Sequence, residues 1–215
     1  MVEPNQDTHW AQWHRDYDDP RSALAARLEI VVARTRQAID DAPGARVRLI
    51  SLCAGQGRDV VAALVGNSRR QAVSGRLVEA DAYNCEVARA SLVDAGLSAI
   101  EVVQGDAALL DAYQDVVPAD VLLLCGIFGN ISDEDVHYTI QNTSRLCAPG
   151  ACVIWTRHRA AADLTPQIRD WFAQAGYGEV AFDAPADHWI GVGTHRLQTD
   201  PLPFDSGVRL FSFRE

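Results

Sequence analysis

No lysine occurs among the 215 residues; all 19 lysine-or-arginine positions are arginine. That absence excludes Schiff-base chemistry, a lysine general base and the phosphate-binding lysine of a P-loop. Each needs an amine that sheds its proton or meets phosphate as a point charge. No apolar run approaches the roughly 20 residues that span a bilayer, and residues 1–19 have no hydrophobic signal-peptide core. The five cysteines (Cys53, Cys85, Cys125, Cys147, Cys152) form no Cys-x-x-Cys pair. They read as reduced thiols of a cytoplasmic protein rather than a disulfide or zinc framework. The six histidines show no His-Glu-x-x-His spacing, so no metal site is expected. A basic stripe is also missing. The net charge is −10, and the one adjacent basic pair, Arg69-Arg70, reads as a solvated helix end. Neither nucleic acid nor a membrane is expected as a partner.

What remains is an ordinary globular composition, 48% hydrophobic and 22% charged, long enough for one well-buried core. Asp19-Pro20 reads as a helix start, with Asp as cap and Pro in the first helical position. Leu24, Leu28, Val31, Val32, Thr35 and Ile39 follow at helical spacing. Residues 1–45 thus read as an aromatic arm and an amphipathic cap helix, and 46–215 as the core. In the core, strand-like runs at 47–53, 76–81, 100–103, 120–125 and 151–156 alternate with helical runs at 58–65, 84–95, 133–147 and 165–176. Ser132 and Asp135 resemble a capping box for the third helical run. This rhythm predicts an α/β, doubly wound, mostly parallel sheet. Two last strands are expected at 178–182 and 207–213, the second antiparallel at one edge.

The stretch from Arg48 to Val60 carries the strongest signal: an apolar strand runs into Cys53-Ala54-Gly55-Gln56-Gly57 and then a helix. Gly55 and Gly57 let a ligand approach the main chain, as parallel α/β sheets do for nucleotides. The third glycine of a dinucleotide fingerprint would fall at Val60. Ligands of such sheets sit beyond the carboxyl ends of the strands. There the second strand offers Asp81, able to accept from ribose hydroxyls, with Glu79 as the competing acid. The third is followed by Gly105-Asp106-Ala107, whose carboxylate can accept from an adenine amino group; a plain turn reads the same way. The fourth ends in the small and apolar run 124–130, which includes Cys125 and Gly126.

This order of motifs resembles the class I S-adenosylmethionine-dependent methyltransferases, and the resemblance covers roughly residues 46–215. It implies a Rossmann-like seven-stranded sheet with an antiparallel last strand. S-adenosyl-L-methionine is the implied donor and S-adenosyl-L-homocysteine the product. The implied donor pocket is Cys53, Ala54, Gly55, Gly57, Asp81, Ala82, Asp106, Ala107, Cys125 and Gly126. Where the family writes acidic-x-Gly-x-Gly-x-Gly, this chain has Ser51, Cys53, Gly55 and Gly57. Cys147-Ala148-Pro149-Gly150 is similar to the family's Leu-x-Pro-Gly turn, and the glycine run with Cys-Gly-Ile-Phe-Gly-Asn is similar to a subgroup of bacterial members. The expected reaction is methyl transfer to an O, N or C nucleophile of a small molecule. Trp10, Trp13, His14 and Tyr17, with Asn130, are candidates for the acceptor pocket; an arm packed for stability is the other reading of the aromatics. His158, just past the fifth strand, is either a general base or structural. Rival readings are a lyase or cyclase using the same donor, a nicotinamide dehydrogenase, and a non-catalytic binding protein.

Overall fold

β1 (Val47–Leu52) and β4 (Ala119–Leu124) are buried at all but one position each, as strands covered on both faces must be. Alternate residues serve opposite sides. Ile50, Leu52, Leu122 and Leu124 join one apolar cluster, while Leu49, Val121 and Leu123 join another across the sheet. The computed structural model describes residues 17, 19, 21–160 and 162–214. The remaining strands are β2 (Val73–Glu79), β3 (Ile100–Gln104), β5 (Cys147–His158), β6 (Tyr177–Asp183) and β7 (Ile190–Leu197). They form one sheet in the order β3-β2-β1-β4-β5-β7-β6. Strands β1 to β5 pair in parallel, and β7 pairs antiparallel with both neighbours.

One face carries α1 (Ala23–Asp41), α2 (Arg58–Leu64) and α3 (Ala82–Asp94), through Val31, Ile39, Val60, Leu64, Cys85 and Leu92. The other carries α4 (Asp133–Thr143) and α5 (Thr165–Gln174), through Val136, Ile140, Ile168 and Phe172. The first helix begins later than Asp19-Pro20 predicts. Ser22 is its cap, accepting from the Ala25 amide at 3.0 Å, while Asp19 accepts from the Arg21 amide. Arg69 and Arg70 are not simply solvated: Arg69 donates to the Ile39 and Ala42 carbonyls at the end of α1, and Arg70 to the Ala95 carbonyl after α3. Arginine thus serves helix ends whose last carbonyls have no partner within the helix.

The last strand is not where the sequence places it. Residues 190–197 form β7, inside the sheet between β5 and β6. Gly193 hides this strand from propensity arguments, yet a Cβ there would meet the Trp155 ring at 2.2 Å. The expected strand at 207–213 instead forms single bridges to the segments that follow β3 and β4, at Leu109–Arg209 and Ile131–Phe213. Its apolar residues are held by the core: neighbouring Leu210 and Phe211 are both buried.

Candidate functional site

The sheet order reverses between β1 and β4, and a crevice opens there beyond the carboxyl ends. The chain leaving β1 turns through left-handed φ at Cys53 (50°), Gly55 (55°) and Gly57 (66°). Two backbone bonds hold the turn: Ala54 donates to the Val78 carbonyl at 3.0 Å, and Gly57 to that of Ala54 at 2.9 Å. The Gly55 amide points instead at a side chain, donating to Glu79 Oε2 at 2.8 Å.

Glu79 is the last residue of β2, and its other oxygen accepts from the Asp81 amide at 2.9 Å. Asp81 caps α3, accepting from the Asn84 amide at 2.8 Å. The two acids offered by the sequence therefore have different duties, one tying the glycine turn to the strand end and the other starting a helix. A carboxylate has about four lone-pair positions, so Glu79 keeps two for a ligand. Beyond β3, Asp106 accepts from the Ala108 amide at 2.9 Å and from Arg209 at 2.6 Å. After β4, Gly126 at φ 78° donates to Thr156 Oγ1 at 2.9 Å.

These turns enclose a cavity of about 870 Å³, toward the upper end for small-molecule sites. Cys53, Ala54, Gly55, Asp81, Asp106, Ala107, Cys125 and Gly126 all line it, as does Tyr17. Gly57 and Ala82 are not among the wall residues. Gly57 is needed for the turn and for packing, since a Cβ would lie 2.8 Å from Leu77 Cδ2. Asn130 is also off the wall, donating to the Gly126 carbonyl at 2.8 Å. His158 is exposed away from the cavity, its Nδ1 accepting from the Ala160 amide. Trp10, Trp13 and His14 lie outside the described residues.

Arg58 and Asp59, at the end of the glycine-turn stretch, also line the wall from α2. The structure adds wall residues that no motif singles out: Arg27, Leu28 and Val31 from α1, and Arg209, Phe211 and Phe213 from the strap at the C-terminus. The only signal for these in the sequence was a helix stripe and an apparent strand. Burial raises the Cys53 and Cys125 thiols well above their ordinary value, with Glu79 and Asp59 respectively adding to the effect. Both stay protonated and serve as small wall residues, not nucleophiles. Burial likewise raises Tyr17 and Asp59, opposed in each by Arg27. Among the described residues no group of three His, Cys, Asp or Glu side chains is placed to hold a metal ion.

Sheet order, switch-point crevice and antiparallel β7 together define the class I S-adenosylmethionine-dependent methyltransferases. Over residues 22–169 the chain matches the family described as "Putative methyltransferase", and it belongs to that family. Solved structures agree in fold. An O-methyltransferase family protein from Burkholderia thailandensis is 15% identical with a TM-score of 0.65, over 90% of this chain and 63% of that one. An O-methyltransferase family 2 protein from Planctomyces limnophilus, in complex with apigenin, is 16% identical with a TM-score of 0.58, over 80% and 59%. The chain thus spans less than two thirds of either protein. Cofactor-bound Rv0187 from MTB is 18% identical with a TM-score of 0.56, over 87% and 95%. No protein of curated function matches the sequence.

Proposed function

We propose that this methyltransferase takes its methyl group from S-adenosyl-L-methionine and passes it to an O, N or C nucleophile of a small molecule. The observation that carries the reading is the Gly55–Glu79 bond at the mouth of the switch point. It fixes a carboxylate with spare acceptor capacity beside a glycine turn, the pairing that suits a nucleoside's ribose. The residues fit the donor as follows. Glu79 accepts from the ribose hydroxyls, with Asp81 behind it, and Asp106 accepts from the adenine amino group next to the Ala107 wall. The Cys53–Gly55 turn and Cys125-Gly126 flank the remainder.

The donor supplies a methyl group already activated on a sulfonium. The protein's part is then alignment and exclusion of water, which can account for much of the rate. Leu28, Val31 and Phe211 supply apolar wall. A positioned base is required only where the acceptor must lose a proton first, and exposed His158 is expected to be dispensable.

The test is incubation with methyl-labelled S-adenosylmethionine and a fractionated small-molecule extract. Label in a small acceptor with equimolar S-adenosylhomocysteine supports the reading. Label in nucleic acid or protein would contradict the acceptor class, and donor breakdown without S-adenosylhomocysteine would favour a lyase or cyclase.

A further inference from the structure

One carboxylate of the cavity wall has no duty in the turns that build it. Asp59 stands on the first turn of α2 and lines the cavity with Arg27, Tyr17 and Cys125. Its Oδ1 accepts from the Val60 amide at 2.8 Å. Among the described residues, no side chain donates to either of its oxygens. The carboxylates of Glu79, Asp81 and Asp106 each hold a strand end, a helix start or the strap; Asp59 holds nothing but its own neighbour. A half-buried carboxylate facing a cavity gains from a cation or donor that joins it there.

We propose that Asp59 receives the α-ammonium of the donor's amino-acid tail, with Arg27 and Tyr17 beside it on the carboxylate side. This rests on the donor assignment made above and names how the tail is held. Arg27 donates to the Tyr17 hydroxyl, and the Arg27 and Arg58 guanidinium carbons stand 5.7 and 5.6 Å from the Tyr17 ring centre. An anion and two cations at one end of a cavity complement a zwitterion, whose two charges need opposite partners a few ångströms apart. Ser51, in β1 just before the glycine turn, is 1% exposed and has no charge to offer such an ammonium. Asp59 lies two residues past Gly57, on the cavity side of the same turn. Burial raises the Asp59 carboxyl, opposed by the Val60 amide and by Arg27.

Two sources of ammonium are possible in a methyltransferase, the donor's tail or an amine acceptor, and one pair of probes separates them. 5′-Methylthioadenosine shares the nucleoside and thioether of S-adenosylhomocysteine but has no amino-acid tail. Calorimetric titration of both ligands is made on the natural protein and on Asp59→Asn, which keeps an oxygen for the Val60 amide and the shape of the side chain. Loss of a charge-assisted bond predicts about 10- to 100-fold weaker S-adenosylhomocysteine binding in the variant. Methylthioadenosine should bind both proteins alike. Equal binding of S-adenosylhomocysteine to the two proteins would overturn the proposal and point to an amine acceptor. Parallel loss of both ligands in the variant would also overturn it, showing a general effect on the pocket. Failure of the natural protein to bind either ligand would instead overturn the donor assignment itself.

Discussion

Glu79 and Asp81 lie two residues apart and both reach the cavity, yet substitution should separate them. Glu79→Gln removes the charge that meets the Gly55 amide and, in the proposed site, the ribose. It should weaken S-adenosylhomocysteine binding about 10-fold or more by calorimetry. Asp81→Asn keeps a capping oxygen for the Asn84 amide; asparagine caps as well as aspartate, so stability should move by less than about 0.5 kcal/mol in urea unfolding. Gly57→Ala is expected to act through folding, because it adds a Cβ 2.8 Å from Leu77 at φ 66°. A loss of about 1–3 kcal/mol by the same measurement is the signature. The sequence left these acids ambiguous for a physical reason. Glu-Ala-Asp at a strand-to-helix junction offers two carboxylates of equal chemistry, and only the end of the β2 ladder says which belongs to the strand.

His195 brings a pH dependence at the same scale. It lies 1% exposed in β7, its Nδ1 accepting from Trp155 Nε1 at 3.1 Å, stacked on Phe172 with ring centres 4.5 Å apart. Burial pulls it down to about 4, only partly opposed by Glu179. The unfolded chain, near the ordinary 6.5, therefore takes up this proton first as pH falls. Stability is full above about pH 6.5 and declines toward pH 4 by about 1.4 kcal/mol per unit, a total of about 3 kcal/mol from this residue. Urea unfolding across that range should show the slope, and His195→Gln should remove its share; an unchanged slope would place the titration elsewhere.

Among the elements, β7 and the strap at 207–213 exchanged the roles that pattern assigned them. Strand propensity penalises Gly191 and Gly193, but packing requires them: added Cβ atoms would meet Phe182 at 3.0 Å and Trp155 at 2.2 Å. The strap reads as a strand because its apolar residues are buried at the consecutive positions Leu210 and Phe211. A short apolar run reports a buried segment, and a sheet is only one way to bury it. The capping-box pair shows a similar diversion. Ser132 accepts from the Asp135 amide at 3.0 Å as expected, while Asp135 turns its carboxylate to the Ser212 amide, also at 3.0 Å. Asp135→Ala should therefore loosen the strap. Amide hydrogen exchange at Ser212 should rise while the β1 and β4 amides stay protected; unchanged exchange would show that the strap's other bonds, among them Arg209 to Asp106 and the Leu210 amide to the Ala108 carbonyl, hold it without Asp135.

At the scale of the molecule, β–α alternation and the order of end-of-strand residues were enough to read the sheet and its switch point. Both depend on local pattern and right-handed crossovers. The wall residues that follow strands were legible for the same reason. The rest of the wall was not, because Arg27, Leu28 and Phe211 reach it from a helix and a strap whose meeting only the tertiary fold creates. Composition spoke to partners in a different way. A net charge of −10 repels polyanions, while the cavity wall sets four carboxylates, Asp59, Glu79, Asp81 and Asp106, beside three arginines, Arg27, Arg58 and Arg209.

The most direct measurement is calorimetric titration of the natural protein with S-adenosylmethionine, S-adenosylhomocysteine and, as control, NADH. Micromolar binding of the two sulfur ligands, about −8 kcal/mol, with no response to NADH is the expected result. Silence with both sulfur ligands, or binding of NADH in their place, would contradict the donor assignment and leave a methyltransferase fold serving a different ligand.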